Sequence, residues 1–122
     1  MDQSAGDSRT RWREMPAFYE DLIEAHGAKL QPMVDLVLRI SASAWADELY
    51  PSTSMEALGL SRHALYEERM RDRSVWIEYV ESAELFRVTF QEEHRGPAST
   101  VEVVSIDAKT WQRIAEWLRV AP

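Results

Sequence analysis

The chain has 122 residues, 45% of them hydrophobic and 29% charged, the balance of a single globular domain. That excludes a mostly disordered chain, a collagen-like one and a membrane bundle. The net charge of −7 repels a phosphate backbone over distance, so general nucleic-acid binding is disfavoured.

Residues 1–14 are small and polar, with Arg9, Arg11 and Arg13 set among Asp7 and Glu14. They read as a flexible leader, Trp12 being the one residue able to anchor it, and residues 15–122 as one domain. Met1 to Arg13 lacks the apolar stretch of a signal peptide. Pro16 suits a first helical turn. Phe18, Tyr19, Leu22 and Ile23 follow at helical spacing, and Gly27 suits a stop. A first helix is therefore predicted over 16–26.

Pro32 opens a second apolar stripe through Met33, Leu36, Val37, Ile40 and Ala44. It predicts a helix over 32–48, weakened at Ser41 and Ser43. Tyr50-Pro51-Ser52-Thr53-Ser54 reads as a breaker cluster. After it, Met55 to Ser61 fits a short strand, with Leu58 and Leu60 on one side and Ala57, Gly59 and Ser61 on the other. A helix capped by Ser54 is the rival reading, and Gly59 counts against it. His63 to Arg73 is dense in charge and reads as an exposed connection with one helical turn.

From Ser74 the period changes to two. Val75, Ile77 and Tyr79 alternate with Trp76, Glu78 and Val80; Phe86, Val88 and Phe90 alternate with Arg87 and Thr89. A third strand is predicted over 100–106, after a turn at Glu92 to Pro97. Asp107 is a good cap for a last helix over 108–119, whose stripe is Trp111, Ile114, Ala115 and Leu118. Trp117 falls off its centre. The sum is an α+β fold: an antiparallel meander of three or four strands packed against two N-terminal helices and one C-terminal helix.

Catalytic signals are missing from the sequence. There is no cysteine, hence no thiol nucleophile or thiolate metal site. GxSxG, GxGxxG, GxxxxGK[ST] and HExxH are all absent, and no cofactor or metal is expected. His26 and His94 read as surface histidines. His63 is retained as a candidate because Ser52 to Ser54 can lie near it in space.

Five tryptophans are many for one thin core. Trp is enriched in interface hot spots, and one sheet face must be buried, so either Trp76 or Tyr79 faces outward unless a second layer covers it. Trp117 raises the same question. The resulting expectation is a cytoplasmic, non-enzymatic protein-binding domain, of the kind found in bacterial immunity or antitoxin-like inhibitors or adaptors. Trp76, Trp117, Glu92, Glu93 and His63 would form its contact surface, and a basic protein would be its partner. One alternative is a small-molecule-binding or hydrolytic site between sheet and helices, lined by His63, Ser54, Asp47 and Glu48. Another is a homodimer joined through a sheet edge or outward face.

Overall fold

The computed structural model describes residues 4–27 and 29–122. Helix α1 spans Ser4–His26, α2 Gln31–Ser41 and α3 the short Trp45–Glu48. Two strands follow, β1 Tyr50–Ser54 and β2 Ala57–Ser61, then a helical turn α4 at Tyr66–Arg69. Strands β3 Ser74–Val80, β4 Leu85–Gln91 and β5 Ala98–Val103 lead into α5, Ala108–Leu118. All strands pair antiparallel with their sequence neighbours, giving one sheet in the order β1-β2-β3-β4-β5.

The fold is α+β with an antiparallel sheet, but the sheet has five strands rather than three or four. The additional strand is β1, which lies where the sequence reads as a breaker. Pro51 pairs with Leu60 on an edge strand, where a missing N–H is harmless. The tight connection to β2 is Met55-Glu56, with Met55 itself at φ 55°, so no Asn-Gly or Asp-Gly signature marks the hairpin.

The segment read as a leader also differs. From Ser4 it forms part of α1, which continues through Pro16. Ser8, Trp12, Met15 and Tyr19 stand at steps of four, three and four, and all are buried. Trp12 is the linchpin. It is fully enclosed, and its indole N–H donates to the Leu49 carbonyl at 2.9 Å. The Ser8 hydroxyl donates to the Ala46 carbonyl at 2.6 Å. Both bonds tie α1 to the α3–β1 corner.

The predicted second helix is broken in two. The Ser43 hydroxyl donates to the Ile40 carbonyl at 2.7 Å and accepts from the Trp45 backbone N–H at 3.2 Å, local bonds that compete with the helical ladder. The chain turns there and places Trp45 under α5. Trp45 stacks on Trp111 with ring centres 3.6 Å apart and planes 6° from parallel. Arg39 lies over the Trp111 ring, 4.3 Å from its centre. Within α2 the Asp35 carboxylate accepts from the Gln31 side chain at 3.0 Å. Asp107 caps α5 as expected, accepting from the Thr110 N–H at 2.8 Å.

The helices cover one face of the sheet. Leu58, Leu60, Val75, Ile77, Val88 and Phe90 point into that layer and are buried. They meet Leu30, Met33, Val37, Ile40, Ile114 and Leu118 from the helices. Tyr19 reaches the far end of the layer and donates to the Glu56 carbonyl at 3.1 Å. Burial, with the Glu56 charge adding to it, pushes its phenol far above the usual tyrosine range. No helix among the described residues is long and apolar enough to cross a membrane.

Candidate functional site

Among the described residues the opposite face of the sheet carries no helical layer. Strand alternation sends Ser52 and Ser54 from β1, Gly59 and Ser61 from β2, and Trp76 from β3 to that side. Trp76 is the outward-facing aromatic; Tyr79 points inward and packs edge-on against Phe86, their centres 5.2 Å apart. Trp76 pairs directly with Gly59 across the ladder. A Cβ placed on Gly59 would meet two atoms of the Trp76 six-membered ring at 2.9 Å and the Ser52 hydroxyl at 2.4 Å. The indole therefore lies over Gly59, and the glycine is what lets it lie there.

Trp76 also differs from three of the other tryptophans in its polar end. Trp12, Trp45 and Trp117 donate their indole N–H to the carbonyls of Leu49, Ala121 and Ser74. The N–H of Trp76 has no protein acceptor among the described residues and is not sealed from solvent.

Around Trp76 the outward face becomes a groove of about 360 Å³. One wall comes from the connection between β2 and β3, through Tyr66, Arg69 and Met70. Another comes from Gln91 and His94 at the end of β4. The two walls are tied by one backbone bond, from the His94 N–H to the Met70 carbonyl at 2.9 Å. On its far side Trp76 borders a second hollow of about 330 Å³, which also takes in Glu78, Arg87 and Thr89.

His63 does not line the groove; it fastens the connection that walls it. Its Nε2 lies 2.8 Å from the Asp72 carboxylate and its Nδ1 3.4 Å from Glu68. The Ser61 hydroxyl donates to the His63 carbonyl at 2.9 Å and accepts from its backbone N–H at 3.2 Å. The latch joins the beginning of the connection to its end. Partial burial pushes the Asp72 carboxyl up, but the bonds from the His63 ring and the Arg73 N–H, with the His63 and Arg62 charges, outweigh it. They hold Asp72 below the ordinary carboxylate range.

Trp117 occupies a separate corner between α5 and the sheet. Its N–H reaches the Ser74 carbonyl at 3.1 Å, its ring meets Phe90 edge-on with centres 5.9 Å apart, and Arg73 covers it at 4.4 Å. It packs against the core and is only partly exposed. Glu92 and Glu93 project from the exposed β4–β5 turn, beside His94. Of the five candidate contact residues, the groove takes in Trp76 alone; the acidic turn borders it and His63 braces it.

The alternative site between sheet and helices does not assemble. That space is filled by fully buried side chains such as Leu58, Ile77 and Ile114. Ser54 is on the outward face, and Asp47 is held by the Arg9 guanidinium, one of whose nitrogens lies 2.9 Å from its carboxylate. The side-chain bond from Arg9 holds Asp47 below its ordinary range, and Asp47 in turn raises Arg9. Among the described residues no group of three or more His, Asp or Glu side chains is placed to hold a metal ion.

Sequence reasoning identified Trp76 but missed Arg69, Tyr66 and Gln91. The pairing of Gly59 with Trp76 was the available signal: a glycine inside a strand marks a close approach by something on the same face. Compared with known proteins, the chain matches no family model, no curated protein and no solved structure.

Proposed function

We propose that the chain is a non-catalytic binding domain that engages a protein partner through the uncovered sheet face, with Trp76 as the anchor. The observation that carries this reading is the Trp76 indole spread over Gly59 in an open groove, with its N–H unused. A large aromatic half-exposed in a concave, hydroxyl-lined site is the usual composition of a recognition hot spot. The polar groups supporting a nucleophile and base do not converge. His63, paired with the Asp72 and Glu68 carboxylates, is engaged in bracing the connection.

Inhibitors and adaptors of the immunity or antitoxin type work in this way, by surface contact without chemistry, and an acidic domain with a Trp-bearing open face suits that class. Glu92 and Glu93 on the neighbouring turn then supply electrostatic steering of a partner with basic groups outside the groove.

The test is a random linear peptide library panned against the immobilised full chain. Enriched peptides are expected to lose binding when Trp76 is replaced by Ala and to keep it when the exposed Met55 is replaced. Failure to enrich, or enrichment indifferent to Trp76→Ala, overturns the proposal.

A further inference from the structure

The chain carries 21 Asp and Glu residues against 14 Lys and Arg, yet none of the groove-lining residues is acidic. Its charged or chargeable nitrogen groups are Arg69 and His94, on the two walls. Arg69 is permanently cationic and makes no ion pair with a carboxylate among the described residues. It is oriented only by its own segment, reaching the Ala64 carbonyl at 3.4 Å and standing 5.8 Å over the Tyr66 ring. Two of the neighbouring acids are occupied. Glu68 faces His63, and Glu78, across Trp76, is held by Arg87 at 3.0 Å. Glu92 and Glu93 stand on the exposed turn and are not among the residues lining the groove.

Resting on the binding role just proposed, we infer that the groove takes a flat apolar side chain accompanied by a carboxylate, and rejects a cationic one. The flat group stacks on Trp76. The carboxylate accepts from Arg69 and from the hydroxyls of Ser52 or Ser74, which line a site with no internal anion. A lysine or arginine there would lose its hydration beside Arg69 and find no carboxylate to replace it. The groove thus has the opposite preference from the molecule as a whole. The net charge draws in a basic partner; the groove reads an acidic-aromatic segment of it.

Three small probes share one ring and differ in charge: phenylacetate, benzyl alcohol and phenethylammonium. Each is titrated into the ¹⁵N-labelled full chain, and the indole N–H signal of Trp76, assigned by its loss in Trp76→Phe, is followed. Phenylacetate is expected to bind about tenfold tighter than phenethylammonium, the weight of one charge-assisted hydrogen bond, with the alcohol between them. Arg69→Ala should shrink that ratio to within about twofold, and Arg69→Lys should preserve its direction. Equal or tighter binding of the ammonium overturns the inference. So does an order that survives Arg69→Ala, or no movement of the Trp76 signal with any probe. The library and the probes fail separately. Peptides that need Trp76 but pair an aromatic with Lys or Arg would sink the charge preference alone. A barren library beside the expected probe order would sink the protein-binding role alone.

Discussion

The two faces of the sheet are built from the same strands by strict alternation, yet they obey different rules. On the covered face the central side chains are apolar, sealed and replaceable only by something of their own size: Leu58, Leu60, Val75, Ile77, Val88. On the open face the large residue is Trp76, its neighbours are serines, a threonine and a glutamine, and the glycine beside it is fixed by the ring above. The covered face specifies the fold. The open face is shaped around one half-exposed indole that lies over Gly59.

This contrast sets the order of expected effects. The greatest belongs to the covered layer and its helical lid. Trp12→Ala removes a fully buried indole and leaves the Leu49 carbonyl without its donor, and should cost about 3–5 kcal/mol in chemical denaturation. Ile77→Ala, one residue along β3 from Trp76, should cost about 2–5 kcal/mol. Trp76→Ala should cost less than Ile77→Ala while abolishing peptide or probe binding. If denaturation midpoints show the reverse order, the open face is structural and the contrast collapses.

Gly59→Val sharpens the same point. The branched side chain must displace the Trp76 ring and the Ser52 hydroxyl, both of them movable, so the fold should survive with a loss of roughly 1–3 kcal/mol. Trp76 emission and its indole signal should move markedly, and binding should be lost. Unchanged Trp76 spectra would contradict the described ring position.

The smallest effect is that of the His63–Asp72 latch. Because Asp72 titrates below its unfolded range, its contribution to stability is present above about pH 4 and is lost as the pH falls through the folded-state value. With the carboxylate partly exposed, solvent screening limits the contribution to under about 1 kcal/mol at neutral pH. Asp72→Asn should therefore melt slightly below the natural chain at neutral pH and converge with it in acid. A gap that widens toward low pH would reverse the assigned sign.

Much of the covered face was legible because alternation and helical stripes leave a periodic trace. The β3–β4 pair, the Asp107 cap and the helical turn in the 63–73 connection all follow from such local patterns. What escaped was set by contacts distant in sequence. The stripe of Ser8, Trp12, Met15 and Tyr19 is helical in spacing, but the charges around it and Pro16 inside it masked the run. Strand β1 looks like a loop until its pairing with β2 supplies hydrogen bonds that its composition does not suggest. The groove needed separate segments to meet, and only Trp76 and Gly59 carried signals of their own.

The single bond from the His94 N–H to the Met70 carbonyl crosses between the groove's two walls. Its amide proton is thus a built-in gauge of breathing. Deuterium uptake at that one position times how often the cleft parts in the empty protein, and slower uptake on adding an occupant marks closure from the backbone alone, without any label on the indole.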